Sequence, residues 1–179
     1  MTVLRLWNLQ GLPGMVEFVW ILTVISFFFL YPATYNLLEI PALAKPQQRL
    51  YQSGIIRITR HPQAIGQILW CIAHGVWIGS SFMMVTCGGL VAHHLFAIWH
   101  GDQRLKIKFG NDFDELKKNT SVIPFLAVID GRQKLQLKEF IRPSQLGICI
   151  AIAAFWWSHR FISLGSQLFL SSKLAELLP

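Results

Sequence analysis

Apolar residues in this chain come in long continuous blocks, not as the one-sided stripes of a soluble helix. The first block covers residues 15–38, MVEFVWILTVISFFFLYPATYNLL, with Glu17 as its acid, near the start where an interfacial carboxylate sits. A second opens at Pro62, a good first residue for a helix, and reaches Gly79. A third runs from Phe82 to His100, and a fourth from Ser144 to Leu164. Crossing a bilayer core as a helix takes ~20 mainly apolar residues. The pattern therefore predicts an all-α, polytopic membrane bundle of about four transmembrane helices, at 15–38, 62–79, 82–100 and 144–164.

Between the second and third blocks, Ser80 and Ser81 leave only a short uncharged turn, so these spans form a tight hairpin. Gly75 and Gly79 give a G-x-x-x-G spacing, with Gly88 and Gly89 expected opposite them, because small residues let membrane helices approach closely. Pro32 is expected to kink the first span near its end. Past His100 the third helix is expected to continue as the charged stretch GDQRLKIKFG. The tail from Gly165 to Pro179 reads as a short interfacial helix.

Composition strengthens this picture. The chain of 179 residues is 53% hydrophobic and only 14% charged, with mean hydropathy +0.45, values that point to one integral membrane domain over residues 1–179. Its net charge of +7 is concentrated: of 16 Lys and Arg, four lie in residues 39–61 and nine in 100–142. Basic residues collect in cytoplasmic loops, which places loops 39–61, marked by Pro41 and Pro46, and 101–142 on the cytoplasmic or stromal side. Both termini and the 79–81 turn then lie on the other side. The expected contact for the basic charge is anionic lipid, and no module for nucleic acid is visible. Cys71, Cys87 and Cys149 fall in apolar runs without a C-x-x-C pair, which argues against a disulfide framework or a zinc site. The N-terminus shows no cleavable signal or transit-peptide bias.

Five of the six histidines, at 61, 74, 93, 94 and 100, fall between Arg57 and Asp102. Imidazole in hydrocarbon is costly and points to a ligand, a proton path or a metal. Gln63, Gln67, Cys71 and His74 draw one polar stripe down the second span. Thr86, Gly89, His93, Ala97 and His100 draw one down the third. Both stripes are expected to face the bundle interior, with His94 pointing ~100° away from His93 and ranking second. His61 and His100 are also readable as interfacial residues. At ~1.5 Å per residue, His74 lies ~9 Å and His93 ~20 Å from the turn near Ser80. His159, on the last span, lies at a depth close to that of His74, so His74 pairs in height with His159, and with His93 only across a tilted plane.

The run GIIRITRHPQAIGQILWCIAHGVWIG, with GLVAHHLFAIWHGDQRL, KKNTSVIPF, DGRQKL and SFFFLYPATYNLLE, closely resembles the 15-cis-ζ-carotene isomerase branch of the NnrU family over residues 7–160. The resemblance implies an integral membrane enzyme of a thylakoid or bacterial-type plasma membrane, holding haem b. It would convert the central 15-cis bond of 9,15,9′-tri-cis-ζ-carotene to trans. By motif, His74 in C-I-A-H matches a family iron-ligand position and His93 in A-H-H the alternative ligand, and these two are the implied catalytic residues. His159 and His61 complete the candidate haem-contacting set. Longer plant members carry further membrane helices upstream, one with another haem-ligating histidine. The second axial ligand is accordingly expected from His93, His159, a subunit or a separate protein, and neighbouring carotenoid enzymes or an upstream membrane subunit are expected partners. Trp70, Trp77, Phe82, Phe96 and Trp99 are candidates to line a hydrocarbon channel.

Arg-His-Pro-x-x-x-Gly is also similar to the box of membrane methyltransferases and sterol reductases. There Arg57, Arg60, His61, Gln63 and Gln67 would form the end that holds S-adenosylmethionine or a nicotinamide, although Asp102-Gln103 stands where that pattern has paired acids. A non-catalytic haem protein linked to nitrogen-oxide metabolism is a third reading.

Overall fold

The computed structural model describes residues 4–34, 50, 52–140, 146–159 and 161. The end of the expected first span, the loop with Pro41 and Pro46, and the tail from Gly165 lie outside the described residues. The chain divides into two compact units, Met1–Arg142 and Pro143–Pro179.

Helices make up the first unit: α1 (Met15–Thr34), α2 (Pro62–Ile78), α3 (Ser81–Phe109), α4 (Asn111–Asn119) and the short α5 (Leu126–Ile129), with 3-10 turns at Gly54–Arg57 and Leu137–Phe140. Among the described residues there is no strand, only an isolated bridge between Arg5 and Ser80. The all-α expectation holds. In the second unit, Leu146–His159 form an apolar helix, α6. Among the described residues, Ser81–Phe109 is the one helix long and apolar enough to cross a membrane, and Met15–Tyr31 and Leu146–His159 are shorter apolar helices.

α1 and α2 meet at their smallest side chains. Thr23, Ser26 and Phe29 form the buried stripe of α1, at the three-residue spacing that keeps one helix face aligned. The Ser26 hydroxyl donates to the Gly66 carbonyl of α2 at 2.7 Å. A Cβ on Gly66 would stand 2.8 Å from the Ser26 carbonyl oxygen and 2.9 Å from the Leu30 nitrogen. Only glycine allows this approach.

The hairpin is where its sequence put it. Pro62 opens α2 and Gly79 closes it in the left-handed conformation, φ +58, which costs glycine nothing. Ser80 then caps α3, its hydroxyl accepting the Met83 N–H at 3.2 Å. The last carbonyls of α2 need partners, and the N-terminal segment supplies them. Leu6 N–H donates to the Gly79 carbonyl at 2.7 Å, the Trp7 indole to Val76 at 3.0 Å, and the Gln10 amide to Trp77 at 3.0 Å.

The expected G-x-x-x-G contact is not the close one. A Cβ on Gly75 would meet only the Met84 sulfur, at an ordinary 3.8 Å, and at Gly88 and Gly89 it would meet nothing. Gly79 is a turn residue against Trp7, and the tight helix approach lies at Gly66 instead. The polar stretch after α3, read from sequence as a loop, is ordered. α4 buries Phe113 and Leu116, and Lys106 of α3 pairs with Asp114 across the Gly110 corner.

Candidate functional site

The motif blocks around Arg57, Asp102, Ser121 and Gln133 are far apart in sequence, and the structure brings them together. The linker before α2 lies against residues 121–125. The Thr59 hydroxyl donates to the Val122 carbonyl at 2.7 Å, Arg60 N–H to Ser121 at 2.9 Å, and Phe125 N–H to Ile58 at 2.9 Å. Thr59 is wholly buried. Phe125 takes a left-handed φ of +63, a conformation non-glycine residues adopt at some cost.

Two arginines, three residues apart, each close on a different acid. Arg57 forks onto Glu139, Nε to Oε2 at 2.8 Å and Nη2 to Oε1 at 2.9 Å, and its Nη1 donates to Gln133 Oε1 at 2.8 Å. Arg60 reaches Asp102 Oδ2 from Nε at 3.2 Å and Nη2 at 3.0 Å. His61 Nε2 lies 2.8 Å from the other oxygen of that carboxylate. The three side chains of this cluster are only 11%, 12% and 14% exposed. Such charge-assisted contacts are stronger than neutral ones.

Their protonation follows from this packing. Burial pushes the Asp102 carboxyl up, but the hydrogen bonds and charges of Arg60 and His61 together outweigh it and hold it below the ordinary range. Burial also lowers His61, more than its bond to Asp102 raises it. Arg60 already supplies the cation, and the ionised Asp102 carboxylate accepts hydrogen bonds from Arg60 and from the His61 Nε2–H. Hydrogen bonding to Glu139 holds the Arg57 guanidinium charged beyond its ordinary range.

His74 is half-buried on α2. Its Nδ1 is 3.0 Å from the Trp70 carbonyl, and its ring stacks on the Trp70 indole with centroids 3.9 Å apart. A neutral imidazole that donates from Nδ1 carries its lone pair on Nε2. Metal-ligating histidines usually have their second nitrogen fixed in this way.

On α3 the expected orientation is corrected. Gly89, His93, Ala97 and His100 are exposed, and the face turned toward the rest of the unit carries Cys87, Leu90, His94 and Ile98. His94, ranked second on spacing, is half-buried, with His93 edge-on beside it at 5.4 Å. His100 stacks on Phe96, with planes 4° apart. Phe82, Phe96 and Trp99 are more than half exposed.

The hairpin register follows from three contacts: Gly75 with Met84, Cys87 with the Cys71 carbonyl at 3.5 Å, and His61 with Asp102. At ~1.5 Å per residue, His93 and His94 stand ~10–12 Å nearer Asp102 than His74 does. These histidines therefore do not share a level with His74. His159 lies on α6 of the second unit, half-buried, its ring near Phe155. Among the described residues, no group of three or more His, Cys, Asp or Glu is placed to hold a bare metal ion. The sequence singles out Arg57, Arg60 and His61 but not their partners: Glu139 for Arg57, the Ser121 carbonyl for the Arg60 N–H, and Asp102 for Arg60 and His61. The available signal was the charge of Asp102 just after the apolar run 82–100, within the same helix.

Among the described residues the chain is helical, with an apolar hairpin, a carbonyl-bonded histidine on one arm and a charged cluster joining the hairpin's open ends. The NnrU protein family model matches residues 1–165, and the chain belongs to that family. It is 50% identical over 158 residues to "15-cis-zeta-carotene isomerase, chloroplastic" of Arabidopsis thaliana, covering 87% of this chain and 43% of that protein. It is 47% identical over 165 residues to the protein of the same name from Zea mays, covering 90% of this chain and 45% of the relative. The chain thus spans under half the length of the curated relatives it matches. No solved structure matches it significantly.

Proposed function

We propose that this chain is the catalytic part of a membrane isomerase that converts the central 15-cis double bond of 9,15,9′-tri-cis-ζ-carotene to trans. The observation that carries the proposal is the 50% identity over 158 residues to a 15-cis-zeta-carotene isomerase. Identity on that scale extends over 158 residues, 87% of the chain, and not over one motif. The substrate is a long hydrocarbon, and the chain offers it apolar surroundings. Phe82, Val85, Leu95, Phe96 and Trp99 of α3 are all more than half exposed, which suits contact with lipid or a lipid-soluble polyene.

The proposal includes haem b as cofactor and a four-span arrangement of α1, α2, α3 and α6 in a thylakoid or bacterial-type plasma membrane, with the 101–142 segment on the basic side. His74 would hold the iron. Haem, when bound, supplies a ferrous centre able to share electron density with a polyene and lower its double-bond order. The chain's own part is orientation: the Trp70 carbonyl fixes the tautomer of His74, and the Trp70 indole fixes its ring plane. His93 and His94 of α3 are further candidates to hold the group. The competing methyltransferase reading needs Arg57 and Arg60 to face a cofactor, whereas both guanidiniums are engaged by Glu139 and Asp102.

Expression in a dark-grown host that accumulates tri-cis-ζ-carotene tests the proposal. Chromatography is expected to show loss of the 15-cis isomer, and unchanged tri-cis carotene with haem loaded and reduced would reject isomerase activity. Purified protein is expected to show a Soret band that shifts on reduction and is lost in His74→Ala. A colourless wild-type protein would overturn the cofactor assignment.

A further inference from the structure

The α2–α3 hairpin is held at its two ends and weakly between them. At the turn, Gly79 and Ser80 alone connect the helices, with Gly79 at φ +58. About two turns further on, Cys87 is the only buried residue in the 29 of α3. From Gly88 to Gly101 no α3 side chain is buried, and Leu90, Val91, His94 and Ile98 are half-buried at most. Packing of that kind leaves helix spacing loosely determined, since it is close-packed side chains that resist displacement.

At the open end the situation reverses. Asp102 of α3 receives Arg60 and His61, the last two residues before α2, at 3.0 and 2.8 Å. The receiving backbone is itself anchored: Arg60 N–H bonds Ser121, Thr59 bonds Val122, and Arg57 bonds Glu139. α3 beyond Asp102 returns to the same frame through α4 and Thr120, which is also buried.

We propose that Asp102 is a positioning residue, a latch that closes the open end of the α2–α3 hairpin against the Arg60–His61 pair and sets how far apart the helices stand at His94. Gly79 is the hinge and Asp102 the latch. The assignment concerns the chain's own helices and stands independently of the isomerase reading.

The test uses the full chain in lipid nanodiscs, with Cys149→Ser to remove the exposed thiol. Spin labels are placed on exposed positions across the latch, Gln63→Cys with Gln103→Cys, and separately across the hinge, Ile78→Cys with Phe82→Cys. Label-to-label distances are read by electron paramagnetic resonance without haem or carotenoid. Asp102→Ala is expected to lengthen and broaden the latch distance by about 2 Å or more, beyond the ~1–2 Å by which packed helices ordinarily shift, and to leave the hinge distance unchanged. Asp102→Glu and the charge exchange Arg60→Asp with Asp102→Arg are expected to return the latch distance toward wild type. An unchanged latch distance in Asp102→Ala, or equal change at both ends, would overturn the proposal. If Asp102→Ala does not fold, Arg60→Lys takes its place. It keeps the charge and loses the fork, and a wild-type latch distance in that variant would overturn the proposal too. Because the readout needs neither cofactor nor substrate, a failed latch and a failed isomerase assignment give different results.

Discussion

The two ends of the α2–α3 hairpin solve the same problem with different chemistry. At the turn, helix ends are satisfied by backbone and side-chain groups of residues 4–10 and by a glycine in a conformation that other residues enter only with strain. At the open end, side-chain charges separated by 42 residues in sequence do the joining. The first arrangement is steric and indifferent to pH, and the second is electrostatic and titratable. What the difference teaches is that the apolar helices carry little of their own mutual placement. It is imposed from both ends.

The largest effect that sharpens this contrast is expected from Asp102→Ala. It leaves the Arg60 guanidinium without its carboxylate in a site about one-tenth exposed. Removing one partner of a buried pair is expected to cost about 2–4 kcal/mol, measured by denaturant unfolding. At the other end, Gly79→Ala places a Cβ 2.4 Å from the Trp7 carbonyl oxygen in a left-handed backbone, for about 1–3 kcal/mol. Gly75→Ala, whose Cβ meets only Met84 at 3.8 Å, is the matched control and is expected to be neutral or slightly stabilising.

Acid should act on one end only. A His61 lowered below 6.5 and an Asp102 lowered below 3.8 both mean that the unfolded chain binds more protons than the folded one. Stability is therefore fully present above pH 6.5. It falls as pH drops through the lowered range of His61, and again below 3.8 as Asp102 is protonated. Unfolding curves across pH are expected to lose the first of these phases in His61→Asn, and to keep both in Gly79→Ala. The smallest effects belong outside the hairpin. Ser26→Ala, which removes the bond to the Gly66 carbonyl, is expected to cost about 1 kcal/mol. Lys118→Ala, which removes a pair about three-quarters exposed, is expected to change stability by less than about 0.5 kcal/mol.

Much of the helical layout was legible in the sequence. Block length and the Pro62 and Gly79–Ser81 punctuation predict α2, its turn and the start of α3, because these are local steric preferences. The continuation of α3 through GDQRLKIKF was legible too, since nothing in that stretch breaks a helix. The inward face of α3 was not. Adjacent histidines on a helix apolar all round give two equally good stripes, and only the packed neighbours choose His94 over His93. The close glycine was misplaced for a similar reason. Gly66 has no spacing signature, and it matters because Ser26 and Leu30 of another helix lie against it.

By itself, the sequence determined a helical chain with a proline-opened, glycine-closed hairpin and a histidine-rich apolar segment. Those features depend on backbone preference and hydrophobic run length, which act between near neighbours. The tertiary structure alone decided that Arg57 belongs to Glu139 and that Arg60 and His61 share Asp102. A charge or an imidazole carries no sequence mark of its partner. Its partner is whichever group the folded backbone brings within about 3 Å.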